Sequence, residues 1–157
     1  MGPYYNMHIP THSPEEIVRL MDRCGISKTV VSPSYGWGTD FVYANSRMLE
    51  ALAAHRGRLY GACSVNGHHP ELSLEDLART FEDPSVVMIK VHPMVSKCRL
   101  DDRRMEKIYD FAAKRRLIIL SHTWIDGDPH GNCDLFTAVA KEHPDIRWVM
   151  GHSGGPM

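Results

Sequence analysis

Five short apolar segments recur along the chain at nearly constant spacing, and this repeat constrains the fold more than any other feature. The segments begin near residues 28, 59, 86, 117 and 146, about 30 residues apart. A strand followed by a helix occupies about this length in parallel α/β proteins. The repeat therefore predicts an α/β fold in which about five parallel strands alternate with helices, in one domain spanning residues 1–157.

Helix signals lie between these segments. The run Ser13-Pro14-Glu15-Glu16 forms a capping box with proline in the first turn, and Gly25 marks the predicted end of that helix. The following helices are predicted over residues 40–55, 72–82, 101–115 and 133–143. Asp101 is the predicted N-cap of the helix over residues 101–115. Residues 1–12 are predicted to be a loop.

Two architectures fit this order of elements. A complete eight-stranded TIM barrel typically needs about 250 residues, so 157 residues would form an incomplete TIM-type (β/α) barrel. A self-contained, doubly wound sheet of five strands is the alternative, because it is a common fold of this size. In either case the apolar run at residues 117–120 indicates a strand buried on both faces.

Histidines follow three of the predicted strands. His122 comes directly after the strand near residue 117, His152 lies in a glycine-rich stretch after the last strand, and Lys90 and His92 end the strand near residue 86. Ligands and catalytic groups collect at the carboxyl ends of parallel strands. We therefore expect His122 to bind a metal ion and His152 to act as a general base or an electrophilic group.

Lys90, His92 and Trp124 are candidates for substrate binding, since they lie at the same predicted edge. Each candidate residue has a structural alternative. A strand-end histidine is often a core residue held by backbone hydrogen bonds. A histidine among glycines can simply belong to a turn, and a strand lysine is often salt-bridged.

Composition excludes several classes of function. A formal charge of -1 argues against a nucleic-acid or anionic-membrane partner, and no apolar run reaches the roughly 18 residues of a membrane span. The four cysteines are scattered without a C-x-x-C pair, which favours a reducing cytoplasm. The chain has no P-loop and no G-x-G-x-x-G motif, so nucleotide-phosphate and dinucleotide binding have no direct support.

Several short motifs, taken in order, resemble the amidohydrolase-related family of metal-dependent TIM-barrel hydrolases and decarboxylases. They are Ser-Pro-Glu-Glu, Met-Asp-Arg-Cys-Gly-Ile, Ile-Lys-Val-His-Pro, Leu-Ser-His-Thr and Met-Gly-His-Ser-Gly-Gly. The resemblance implies that His122 is a ligand of a divalent metal ion, with zinc the expected metal. It also implies that His152 assists proton transfer near the metal-bound water.

The chain departs from the family pattern in two places. It contains no His-x-His pair, which in the family supplies two metal ligands, and it stops before the strand that carries a late aspartate ligand. The expectation is thus a fragment lacking the first and last barrel strands. Of the usual ligand set only His122 is present, and a catalytic zinc site needs three protein ligands.

The resemblance implies metal-assisted hydrolysis, in which activated water attacks an amide, ester or lactone carbonyl of a small molecule. The alternative within the family is non-oxidative decarboxylation of an aromatic or unsaturated acid. From other classes, the alternatives are a catalytically silent fragment that forms a homo-oligomer through its open edges and a five-stranded binding module.

Overall fold

The computed structural model describes residues 13–124 and 128–154. The predicted loop at residues 1–12, with His8 and His12, lies outside the described residues, as do residues 125–127. The strands are β1 (Thr29–Val31), β2 (Leu59–Ser64), β3 (Val86–Val91), β4 (Ile118–Ser121) and β5 (Arg147–Met150). The helices are α1 (Pro14–Cys24), α2 (Phe41–Ala54), α3 (Pro70–Thr80), α4 (Pro93–Ser96), α5 (Glu106–Lys114) and α6 (Cys133–Glu142), with short 3-10 helices at Ser34–Gly36, Arg103–Met105 and Gly151–Gly154.

The five strands form one parallel sheet in the order β1-β2-β3-β4-β5. This confirms the predicted fold class. A doubly wound sheet requires a point at which the strand order reverses, and the sheet formed by the described residues has none. Because crossovers between parallel strands are right-handed, a consecutive order places the connecting helices on one face. The sheet therefore has the strand order of a (β/α) barrel, with its helices on one face.

The capping residues of α1 match the sequence prediction. The Ser13 backbone N–H donates to the Glu16 carboxylate at 2.8 Å, and the Glu16 backbone N–H donates to the Ser13 hydroxyl at 3.2 Å. Gly25 ends the helix with a φ of 69°, a conformation that favours glycine. Local sequence chemistry thus determines both ends of this helix.

The predicted start of the helix at residue 101 is wrong. Asp101 pairs with Arg99, whereas Asp102 accepts a hydrogen bond from the Arg104 backbone N–H and caps a 3-10 turn that leads into α5. The short helix α4 was not predicted. The misplaced N-cap arises because adjacent residues of similar capping propensity are distinguished only by which of them finds a competing partner.

The core lies between the sheet and its helices. Its most deeply buried side chains include Leu52, Leu59, Leu77, Ile89, Ile108 and Ile119. The opposite face of the sheet is more open: Val30 and Val149 are both 43% exposed, and Ile118 and Leu120 are only partly buried. The prediction that residues 117–120 are buried on both faces is therefore wrong for this chain, since only the helix-covered face is closed.

None of the helices within residues 13–124 and 128–154 combines the length and apolar content that a membrane crossing requires.

Candidate active site

The carboxyl ends of β3, β4 and β5 bring the predicted site residues together. Val91 pairs in register with Ser121, and Ser121 pairs with Met150. His92 and His122 follow immediately at this edge, and His152 comes two residues after β5. Parallel strands in register deliver equivalent positions to one edge of the sheet, which explains why residues 30 apart in sequence meet here.

Four aromatic rings pack in a row along this edge. The ring centroids of Trp37 and His92 are 4.6 Å apart, those of His92 and His122 are 3.9 Å apart, and those of His122 and Trp124 are 5.8 Å apart. The two imidazoles are nearly parallel, with an interplanar angle of 15°. The His152 ring stands edge-on to both His122 and Trp124. The two tryptophans therefore form the ends of a column whose centre is the histidine pair.

The backbone around His152 is tightly constrained. A Cβ atom at Gly151 would lie 2.7 Å from the Ser121 carbonyl oxygen, so a side chain cannot fit at that position without movement of β4. The Thr123 hydroxyl donates to the Gly151 carbonyl at 2.5 Å. His152 itself adopts a φ of 58°, which is uncommon for a residue with a side chain. This turn places the exposed His152 ring against His122 and Trp124.

Lys90 is a buried cation at the centre of the site. Its residue is 6% exposed, and its Nζ atom lies 5.4 Å from the Trp37 ring centroid. No carboxylate or hydrogen-bond acceptor contacts the Lys90 ammonium within the described part of the chain. Burial lowers the pKa of Lys90 to about 8, which leaves the ammonium mostly charged at neutral pH.

The two stacked imidazoles are neutral at pH 7. Burial, followed by the neighbouring His122, lowers the pKa of His92 to about 3. Burial, followed by the charge of Lys90, lowers the pKa of His122 to about 4. The His92 Nδ1 and His122 Nε2 atoms are buried and have no hydrogen-bond partner among the described residues. Neutral imidazoles with unpartnered nitrogens are suited to bind a ligand rather than to carry charge.

The described residues do not fit a complete metal site. In residues 13–124 and 128–154, no group of three or more His, Cys, Asp or Glu side chains is placed to hold an ion. A metal ion lies near the plane of each imidazole that binds it, and the parallel planes of His92 and His122 do not meet close to the rings. His122 can therefore supply one ligand, and His92 in this orientation cannot bind the same ion.

Sequence reasoning missed three polar residues near this edge. Ser64 ends β2 and has a buried hydroxyl without a described partner. Asn45 on α2 hydrogen-bonds to the Ser64 backbone. Asp128 has a buried Oδ2 atom that likewise lacks a partner within the described ranges, and its charge opposes the lowering of the His122 pKa. The strand-end position of Ser64 is the one signal that the sequence offered, whereas Asn45 and Asp128 carry no comparable pattern.

A family model described as Amidohydrolase (Amidohydro_2) matches residues 3–157. The chain belongs to the amidohydrolase family. Members of this family are enzymes, including decarboxylases, hydratases and hydrolases, and they generally use a divalent metal ion. No curated protein matches the sequence.

Solved structures share the fold at low sequence identity. 4-Oxalomesaconate hydratase from Rhodopseudomonas palustris has a TM-score of 0.68 at 19% identity, with 92% of this chain and 52% of that chain covered. 2,6-Dihydroxybenzoate decarboxylase from Rhizobium has a TM-score of 0.69 at 17% identity, with 91% and 57% covered. A probable 2-pyrone-4,6-dicarboxylic acid hydrolase from Acinetobacter baumannii has a TM-score of 0.67 at 15% identity, with 96% and 52% covered.

The chain spans about half the length of these structures. Another neighbour, from Bordetella bronchiseptica, is described as a TIM-barrel protein. The five parallel strands therefore correspond to part of such a barrel. The similarity extends to the fold and does not identify the reaction.

Proposed function

We propose that this chain carries part of the active site of a metal-dependent hydrolase that acts on a small carboxylate-bearing molecule. The scissile bond would be an amide, ester or lactone. The observation that supports this substrate class most directly is the buried Lys90 ammonium, which has no counter-ion among the described residues. Burying an unpaired charge is costly, and a bound carboxylate would offset that cost.

The remaining residues have separate roles in this proposal. Trp37 and Trp124 would offer flat apolar surfaces beside the substrate, since their rings lie at the two ends of the histidine column. His122 would contribute one ligand to a divalent ion, with zinc as the first metal to test. When bound, such an ion supplies an activated water. His152 is exposed and adjacent to His122, so it would exchange protons between the reacting centre and solvent.

Non-oxidative decarboxylation is the second candidate reaction. It is favoured by the tryptophan rings at both ends of the column, which suit a flat substrate, and by the decarboxylases among the structural neighbours. In that case Lys90 would hold a carboxylate in the same way. The two reactions differ in their products, because hydrolysis adds the elements of water and decarboxylation releases carbon dioxide.

The first test is the metal content of the purified protein by elemental analysis. About one zinc or manganese ion per chain in the wild type, lost in His122→Ala, is the result that would support His122 as a metal ligand. His69→Ala is the matched control, because His69 is exposed and its side chain does not cap α3. Absence of metal from the wild type, or full retention in His122→Ala, would contradict the proposed site. It would favour the catalytically silent alternative.

Protein that holds metal should then be assayed on aromatic carboxylates and on lactones that carry a carboxylate. NMR would follow ring opening, and evolved carbon dioxide would be measured in parallel. Ring opening supports hydrolysis, and carbon dioxide release supports decarboxylation. Turnover of neutral lactones at the same rate as carboxylated ones would contradict the role of Lys90.

A further inference from the structure

We propose that the Ser64 hydroxyl and the Lys90 ammonium form a two-point carboxylate subsite, and that Asn45 positions Ser64 within it. The inference rests on the proposed function, because Lys90 is the residue assigned there to the substrate carboxylate. It adds a second binding residue on a different strand and a positioning residue on a helix.

Ser64 and Lys90 are neighbours across the sheet. They pair in register between β2 and β3, and paired residues of parallel strands project to the same face. Lys90 shares that face with His92, two residues further along its strand. The Ser64 side chain therefore belongs to the same edge and face of the sheet as the histidine column.

Both side chains belong to buried residues and have no hydrogen-bond acceptor among the described residues. Ser64 is 1% exposed, and its Oγ atom has no hydrogen-bond partner in the described part of the protein. The Lys90 ammonium likewise lacks an acceptor there. Buried polar atoms are almost always hydrogen-bonded in native proteins. One hydroxyl donor beside one cation is complementary to a group with two anionic oxygens, and a carboxylate is the smallest common group of that kind.

Asn45 fixes the backbone of Ser64 in both directions. The Asn45 Nδ2 atom donates to the Ser64 carbonyl at 2.8 Å, and the Ser64 N–H donates to Asn45 Oδ1 at 2.9 Å. Asn45 Nδ2 also donates to Asp76 Oδ2 at 2.6 Å, and Asp76 pairs with Arg79. Asn45 is fully buried. This network holds the end of β2, and hence the Ser64 hydroxyl, in place before any ligand binds.

The loop after β1 covers the subsite. A Cβ atom at Gly36 would lie 3.7 Å from the Ser64 Cβ and 2.5 Å from the Ala44 Cβ, so the loop passes closely over Ser64. Trp37 follows it, and its Nε1–H donates to the Ser32 hydroxyl at 3.1 Å. The same ring lies beneath the Lys90 ammonium. The covering loop keeps water from the Ser64 hydroxyl, which strengthens a hydrogen bond from it to an anion.

The test compares the binding of benzoate with that of benzamide, a neutral molecule of the same shape, by calorimetric titration. The wild type should prefer benzoate. Ser64→Ala should lose about tenfold to a hundredfold in benzoate affinity, as expected for a hydrogen bond to a charged group, with its benzamide affinity unchanged and its melting temperature not lowered. Ser27→Ala, at an exposed serine, is the matched control and should behave as wild type.

Ser64→Gly also removes the hydroxyl and should give the same loss if Ser64→Ala folds poorly. Lys90→Met separates the two proposals. If Lys90→Met loses the benzoate preference while both Ser64 variants keep it, the subsite is overturned and the proposed function stands. If the wild type shows no preference, or Lys90→Met retains it, the proposed role of Lys90 fails, and the subsite fails with it.

Discussion

Replacing Lys90 with methionine should stabilise the protein at neutral pH, even though it removes a residue of the proposed active site. Burial lowers the pKa of Lys90 from 10.5 to about 8. At about 1.4 kcal/mol per pKa unit, this difference disfavours the charged folded state by roughly 3 kcal/mol. The variant loses the contact between the ammonium and the Trp37 ring, worth about 1 kcal/mol. The net gain should therefore be about 2 kcal/mol.

The pH dependence follows from the same shift. The unfolded chain keeps the lysine proton up to pH 10.5, whereas the folded chain releases it near pH 8. The unfolded state therefore binds more protons between these values, and the free energy of unfolding of the wild type should rise by about 3 kcal/mol across this window. Below pH 8 both states are protonated and the full penalty applies. The Lys90→Met variant should lack this rise.

Urea unfolding at pH 7, 9 and 10.5, followed by far-ultraviolet circular dichroism, measures both effects. Lys28→Met is the matched control, because Lys28 is exposed and its Nζ lies 5.6 Å from the Tyr60 ring centroid. Its replacement should change stability by less than about 0.5 kcal/mol. Destabilisation of Lys90→Met at pH 7 by more than about 1 kcal/mol would refute the reasoning, since it would mean that the ammonium has a stabilising partner.

Two further predictions concern the buried polar groups. Asn45→Ala should lower the free energy of unfolding by about 3 kcal/mol, because it breaks three buried hydrogen bonds. Asn132→Ala, which removes the N-cap of α6, should lower it by only about 1 kcal/mol. Equal losses for the two variants in urea unfolding would contradict this ranking. Stability should also fall as the pH falls from 6.5 towards 4 and 3, because in this window the unfolded state protonates histidines whose pKa values the fold lowers. A His92→Gln/His122→Gln variant should show a flatter acid profile, and an unchanged profile would show that other groups govern acid unfolding.

Much of the fold could be predicted from local patterns. The 30-residue repeat gave the five strands and their parallel arrangement, because a strand, a helix and two short connections require about that length. The capping box and Gly25 gave the ends of α1, since those interactions lie within a few residues. The same patterns could not separate a doubly wound sheet from a barrel-type sheet. Strand order depends on contacts between residues far apart in the chain, and the consecutive order is visible only in the structure.

The sequence also indicated Lys90, His92, His122, Trp124 and His152 as site residues, because parallel strands bring their carboxyl ends to one edge. Their roles remain predictions. Only the tertiary structure decided how these side chains meet: the parallel stacking of the imidazoles, which prevents both from binding one ion, depends on rotamers set by packing.

By itself, then, the sequence determined the strand and helix repeat, the edge at which the candidate site residues meet, and the family, because each is encoded in local pattern or in motif order. The tertiary structure decided that Trp37 closes one end of the histidine column, that Ser64 lies beside Lys90, and that Asn45 holds it there. These contacts join residues separated by long stretches of chain. No local pattern specifies them, since they arise only when the helices pack on the sheet and fix which buried polar groups find partners.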